Sequence, residues 1–216
     1  MNETLIQGLC AIAQCENARD AERLRRRLTQ TVGQDESTLL PLLDALVART
    51  AEVERLRHLA GTDSLTQVPN RRSFEAALER EISRHNRSAS GLAVITLDLD
   101  GLKDINDRHG HAAGDEAICA VARACESRLR GSDLLARLGG DEFAVLLPMA
   151  DRTTAELVAH RMRAAVEATQ VRGQNLRVSI GIAAAGKFST RAGDLLAEAD
   201  RELYEEKAAR HTLAAA

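Results

Sequence analysis

Asp98-Leu99-Asp100 and Gly139-Gly140-Asp141-Glu142 put four carboxylates into two short groups about forty residues apart. Two carboxylates and a backbone carbonyl make an oxygen-only donor set. Such a set suits a hard divalent cation carrying phosphates, Mg2+ before any other, and does not suit zinc. Asp98 and Asp100 alternate at the end of an apolar run, so on an extended strand they point to opposite faces and only one aims at a given ion. The Leu99 carbonyl offers a further oxygen, and Asp141 or Glu142 the second carboxylate. Each group alone also has an ordinary reading. An Asp-x-Asp caps a helix or lies in a solvated loop, and a Gly-Gly-Asp-Glu turn is a water-facing hairpin tip. Only a topology that brings the two groups to one edge makes them a site.

The order of elements from 92 to 183 supplies that topology. "GLAVITLDLD" reads as a strand from its β-branched content and abrupt acidic end, and "HAAGDEAICAVARACESRL" as an amphipathic helix. "DLLARL" and "EFAVLLP" are short strands around Gly139-Gly140, a hairpin. "TTAELVAHRMRAAVEA" is a second helix, "LRVSIGIAAA" a further strand, and "RAGDLLAEADRELYEEKAAR" a closing helix. This β-α-β-β-α-β order predicts a ferredoxin-like α+β palm, a central antiparallel sheet covered by helices. The first and third strands then lie side by side at the sheet centre, and the hairpin tip reaches the acidic end of the strand 92–98. Ahead of it, Pro69 and Asn70 mark a loop, and "RRSFEAALEREISRH" sets Phe74, Leu78 and Ile82 on one helix face.

Residues 1–59 read as a helical extension with a dimerising or regulatory role, and 60–216 as the domain that carries the chemistry. "ENARDAERLRRRLTQTVG" has helix-forming composition and stops at Gly33. A second helix restarts after Asp35, Glu36 and Ser37, with Pro41 in or near its first turn. Leu39, Leu46, Val53 and Ala60 recur every seven residues, with Leu42, Leu43 and Leu56 on the same seam. The pattern fits a short coiled coil or a helix packed on its own domain.

The whole composition narrows the function further. The chain has 216 residues, 44% apolar and 28% charged, and a net charge of -3. No global positive excess points to nucleic acid or an anionic membrane. Phe74, Phe143, Phe188 and Tyr204 are the only aromatic residues, too few for a base-stacking platform. Cys10, Cys15, Cys119 and Cys125 lack zinc-knuckle spacing and read as reduced thiols. No signal peptide or membrane-spanning run is evident, so the expected location is cytoplasmic.

"GGDEF" resembles the signature that names the GGDEF family, the diguanylate cyclases. The resemblance covers about residues 60–210, through "DSLTQVPNRR", "DLDGLKDINDRHGHAAGD", "RGSDLLARLGGDEF", "VSIGIA" and "ADRELYEEK". It implies a fold similar to the palm of nucleotidyl cyclases and polymerases. The implied reaction takes two GTP to cyclic di-GMP and two pyrophosphates. Asp98, the Leu99 carbonyl and Asp141 match the family's ligands for Mg2+, with Mn2+ as the alternative ion. Asp141 also matches the acceptor for the attacking hydroxyl's proton, and Glu142 adjoins it in support. The amides of Gly101 and Leu102 match phosphate contacts, Lys103 a residue that stabilises developing charge, and Lys207 a triphosphate contact. Asn106 and Asp115 match the guanine readers, with His111 beside them. A pocket built to hydrogen-bond guanine rejects a base that leaves those groups unpaired by on the order of 10⁴-fold. Out of this context, Asn106 reads as a helix cap and His111 as a packed core histidine.

Each domain of this kind holds one GTP, so the resemblance implies a homodimer, assembled through the N-terminal helices. Arg130 and Asp133 match the family's Arg-x-x-Asp site for inhibitory product, and Arg161 the secondary arginine of that site. A plain helix-end ion pair is their ordinary reading. Three positions depart from the family pattern. Gln67 replaces a usual glycine, Leu138 an aromatic, and "AARHT" the usual Gly-Arg-Asn after Lys207, which leaves Arg210 one residue short of a second phosphate cation. Sensing of GTP or cyclic di-GMP without catalysis is the competing function. Retention of Asp98, Lys103, Asn106, Asp115, Asp141 and Glu142 favours the enzyme, and an adaptor role for the first helices is compatible with it.

Overall fold

A computed structural model describes residues 18–31, 39–186 and 190–214. The chain divides between Gly61 and Thr62 into two compact units. In the first, α1 (Ala18–Thr31) and α2 (Leu39–Gly61) pack on each other. Their contact buries Ala21 and Leu43 among Leu24, Leu28, Leu46 and Val47, and Arg25 Nε meets Asp44 Oδ1 at 2.7 Å. Of the heptad positions, Leu43 and Leu46 thus face α1, while Val53 and Leu56 are exposed further along α2. Gly33, the capping group Asp35-Glu36-Ser37, Cys10, Cys15 and the side chains of Leu39, Leu42 and Ala60 lie outside the described residues.

The second unit is an α+β fold. It comprises α3 (Arg71–Ser88), β1 (Leu92–Leu99), α4 (Leu102–His109), α5 (His111–Glu126), β2 (Leu134–Gly139), β3 (Glu142–Pro148), α6 (Arg152–Glu167), β4 (Gln170–Val171), β5 (Gln174–Asn175), β6 (Val178–Ala184) and α7 (Ala192–Ala214). The main sheet is antiparallel in the order β2-β3-β1-β6. The strands called first and third from the sequence are therefore neighbours at its centre.

Burial of every residue of β1 explains its continuous apolar run, because helices cover both faces. Ala93, Ile95, Leu97 and Leu99 enter one core with Ile105, Ile118, Val121, Val158 and Met162 from α4, α5 and α6. Leu92 and Val94 enter the other with Phe74, Leu78 and Ile82 of α3 and Leu195 and Ala199 of α7. Each fully buried side chain of this size contributes about 1.5–3 kcal/mol. Asn70 starts α3 by accepting from Ser73 N, and Asp151 starts α6 by accepting from Thr154 N.

Two features go beyond the predicted order. The short helix α4, closed by Gly110, intervenes between β1 and α5. β4 and β5 form a small hairpin whose turn residues Arg172 and Gly173 both have positive φ, at 50° and 78°. The helix α7 lies directly on β6: a Cβ at Gly181 would fall 2.0 Å from Ala199 O and 2.4 Å from Leu203 N. That close approach fixes where the end of α7 delivers its cations.

Candidate functional site

The two acidic groups meet through strand register. Asp98 is paired with Glu142 across β3 and with Ser179 across β6. At the strand end Leu99 N donates to Asp141 O over 3.2 Å. The hairpin tip therefore runs beside the acidic end of β1, and a cavity of about 800 Å³ opens there. Asp98, Leu99, Asp100, Gly101, Leu102, Lys103 and Asp141 line it together with Arg177, Ser179, Lys207 and Arg210.

Asp98 is 7% exposed, and Lys207 Nζ sits 2.7 Å from its Oδ2. Burial pushes the Asp98 carboxyl up, the Lys207 hydrogen bond pulls it down, and Asp141 and Asp100 push it up again; the net direction is upward. Two carboxylates thus crowd one edge with negative charge that Lys207 only partly offsets. Among the described residues no three His, Cys, Asp or Glu side chains converge on one point. An ion here must complete its shell with a carbonyl, water and phosphate oxygens. That is the habit of Mg2+, which takes one or two carboxylates and keeps the rest for water and substrate. The donor set fits it.

Asp100 departs from expectation. Strand alternation predicts that it turns away from Asp98, yet both line the cavity. β1 ends at Leu99, so the alternation stops one residue earlier and Asp100 belongs to the turn. Its Oδ1 accepts from Ser179 Oγ at 2.8 Å and its Oδ2 lies 3.3 Å from Arg210. Arg210, one residue short of the family position, reaches the cavity all the same. Glu206 holds it from below at 2.9 Å. Glu206 also takes a two-pronged contact from Arg163 at 2.6 and 2.8 Å and a hydrogen bond from Ile180 N. Burial raises the Glu206 carboxyl, but Arg163, Ile180 N and Arg210 together hold it below the usual range.

Glu142, although adjacent to Asp141, is exposed and 3.7 Å from Arg71. It lines a separate cavity of about 320 Å³, whose wall again includes Asp98 and Lys207. The tip is wired to the segment that opens the domain. Arg137 donates to Gly140 O and to Asp63 Oδ1, the latter at 2.9 Å, and Arg71 Nε donates to Leu138 O. Asp63 also accepts from the Thr66 amide and hydroxyl. Burial raises its carboxyl, and the Thr66 and Arg137 hydrogen bonds more than reverse that. Within this segment Gln67 occupies the usual glycine position at φ 61°.

Asn106, His111 and Asp115 lie outside the cavity lining, on the packed pair α4 and α5. Asn106 is half-buried and faces Gly114 so closely that a Cβ there would be 2.0 Å from its Oδ1. His111 opens α5 and Asp115 follows one turn later, both exposed; the histidine is not a core residue. Arg130 and Asp133 sit in the turn after α5. Asp133 Oδ2 accepts from Arg130 N at 2.9 Å, and among the described residues the two side chains form no ion pair. Arg161 is exposed on α6. Cys125 is buried, its thiol pushed up to about 12 by that burial, and Cys119 is likewise free. Ser179 and Arg177 escaped the sequence reading, because "LRVSIGIAAA" carries only a strand signal and their neighbours are set by pairing.

Known proteins resemble this chain in sequence and in fold. The family model described as diguanylate cyclase, GGDEF domain matches residues 60–212. Diguanylate cyclase TpbB of Pseudomonas aeruginosa is 41% identical over 179 residues, 80% of this chain and 41% of that protein. The chain thus spans about two fifths of the length of this curated relative. The solved GGDEF domain of TpbB is 42% identical with a TM-score of 0.64, covering 68% of this chain and 88% of that one. The coiled coil and GGDEF domain of DgcB from Caulobacter crescentus, solved with c-di-GMP, has a TM-score of 0.72 at 27% identity, covering 82% and 96%. Among the described residues no helix is long and apolar enough to cross a membrane.

Proposed function

The chain belongs to the GGDEF family of diguanylate cyclases, and from that premise we propose that it condenses two GTP into cyclic di-GMP with release of two pyrophosphates. The observation that carries the proposal is the edge where Asp98 and Asp141 face a cavity rimmed by Lys103, Arg177, Lys207 and Arg210. Paired carboxylates beside a ring of cations suit a triphosphate and its divalent ion better than either suits a neutral ligand.

Asp98, the Leu99 carbonyl and Asp141 would hold Mg2+, or Mn2+, which when bound acidifies the attacking hydroxyl and neutralises phosphate charge. The amides at Gly101 and Leu102 bind phosphate oxygens, and Lys103 stabilises the charge that develops on them. Lys207 exchanges Asp98 for phosphate when the nucleotide enters. Asn106 and Asp115 read the guanine edge, with His111 beside it, and the nearness of Gly114 keeps Asn106 turned the right way. Asp141 accepts the proton of a 3′-hydroxyl as its oxygen bonds to the α-phosphorus of the other GTP. The bond from that phosphorus to pyrophosphate breaks, and a second such step closes the ring. Glu142, held near Arg71, supports the tip.

Each chain binds one GTP, so two must face each other, and residues 1–59 bring them together. Arg130, Asp133 and Arg161 bind the cyclic product and restrain turnover; DgcB, a related protein, was solved with c-di-GMP. Arg130 and Asp133 make no mutual ion pair among the described residues, which leaves the guanidinium available to a guanine or phosphate. The expected location is the cytoplasm, where GTP is supplied.

The test is direct. Purified chain with GTP and Mg2+ releases pyrophosphate and cyclic dinucleotide at a rate per chain that rises with protein concentration, and Asp141→Asn abolishes this without unfolding the protein. Nucleotide binding with no turnover at high protein concentration would instead establish the sensing function.

A further inference from the structure

A row of small residues crosses the main sheet. Ala136 pairs with Ala144, Ala144 with Thr96 and Thr96 with Gly181, one residue from each strand. Directly paired residues share a face, here the one covered by α3 and α7. Four small residues in line leave the sheet low beneath those helices, and the cavity of about 320 Å³ beside Glu142 opens there. Of the four, Thr96 lines it. Thr96 is 2% exposed, and among the described residues its Oγ1 has no hydrogen-bond partner. A hydroxyl buried without a partner costs free energy, and this one sits where a ligand could supply the missing bond.

The rest of the lining is apolar wall and unbalanced charge. Leu138 of β2 and Leu196 and Leu203 of α7 are half-buried around the cavity. Arg71 is answered by Glu142 at 3.7 Å and Lys207 by Asp98 at 2.7 Å. Asp200, exposed one turn from Leu203 and Tyr204 on α7, is in no ion pair among the described residues. Three carboxylates therefore meet two cations, and the exposed Tyr204 ring adds a face that attracts positive charge. We propose that this cavity is a second ligand site, for a small aromatic amine with a hydroxyl at the far end of its ring. The hydroxyl bonds Thr96 Oγ1, the ring lies among the three leucines, and the ammonium meets Asp200 and Tyr204. Its volume is at the small end of cavities that take organic ligands. Asp98 and Lys207 line both this cavity and the main one, so the occupant borders the ion pair at the acidic edge. The site does not depend on the GTP-condensing function.

Amide NMR titrations of the full-length protein test this with three probes: tyramine, phenethylamine, which lacks the hydroxyl, and 4-ethylphenol, which lacks the amine. Tyramine is expected to bind with a dissociation constant on the order of a millimolar, the range open to about ten heavy atoms. Its shifts should centre on Leu138, Leu196 and Tyr204, and it should bind about tenfold more tightly than either truncated probe. Asp200→Asn should weaken both amines about fivefold and leave 4-ethylphenol unchanged. On Thr96→Val, tyramine should lose its advantage over phenethylamine. That variant without ligand should also melt higher than wild type, because the partnerless hydroxyl is gone. Tyramine that shifts no amide around this cavity overturns the site. Equal wild-type affinities for tyramine and phenethylamine, or a Thr96→Val protein that melts lower, overturn the role of the hydroxyl and the ligand class with it. An Asp200→Asn protein that binds all three probes as wild type does overturns the ammonium contact.

Discussion

Lys207 Nζ lies 2.7 Å from Asp98 Oδ2, joining the last helix to the end of the central strand at the mouth of the main cavity. The ammonium thus stands where a divalent ion would otherwise answer the charge of Asp98. Lys207→Met removes that partner from a carboxylate whose side chain is only 10% exposed. Without Mg2+ the variant is expected to lose about 1–2 kcal/mol. Added Mg2+ should raise its melting temperature more than it raises that of the wild type. Thermal scans in chelator and in Mg2+ check this, and an equal response in both proteins would separate Lys207 from the ion's site.

The pH response has two opposing contributions. Glu206 is held below its ordinary range, so its stabilisation is complete above an unfolded value of 4.5 and is lost as pH falls through the lower folded value. Asp98 is raised, so it detracts from stability once pH climbs from 3.8 through its folded value, and nothing below that window. Glu206→Gln should therefore cost about 2 kcal/mol near neutrality and much less in acid, as Arg163 and Arg210 lose their shared anion. Denaturant melts across that range measure the difference, and a cost independent of pH would count against this charge network.

Gln67 sits at φ 61°, a conformation that costs a side chain about 1 kcal/mol. Its Nε2 recovers part through a hydrogen bond to Ser64 O at 2.9 Å. Gln67→Gly is expected to stabilise the domain by about 0.5 kcal/mol, the strain relief less the entropy glycine brings to the unfolded chain. Gln67→Ala keeps the strain, loses the hydrogen bond and should melt lower. A glycine variant that also melts lower would show that the hydrogen bond outweighs the backbone.

Gly114→Ala places a methyl 2.0 Å from Asn106 Oδ1, the end of a movable side chain. The fold should survive while Asn106 swings aside. KM for GTP is expected to rise about tenfold, with a smaller rise for ITP, which lacks the 2-amino group. Parallel kinetics with the two nucleotides decide it. An unchanged KM for GTP would remove Asn106 from base recognition.

Arg130→Ala should abolish inhibition by added cyclic di-GMP while leaving the initial rate with GTP unchanged, since the turn after α5 contributes nothing to the cavity lining. Initial rates against product concentration test it. Persisting inhibition at the wild-type level would deny that turn a product-binding role.

Local pattern alone was enough for much of this protein. The apolar run of 92–99, buried on both faces, the Gly-Gly hairpin and the amphipathic helices are properties of consecutive residues, and their order already implied an antiparallel palm. The glycine-flanked Asp141 and the strand-end Asp98 were visible for the same reason. Tertiary pairing decided the rest. Ser179 became a partner of Asp100 only because β6 lies beside β1, and Asp100 joined the site because the strand stops at Leu99. Arg210 reaches the cavity despite its shifted position because α7 seats on Gly181 and Glu206 steers its guanidinium. Spacing along a chain fixes which way neighbours face within one element; which charge answers which across elements depends on register and on how closely backbones approach, and neither is a property of any short stretch.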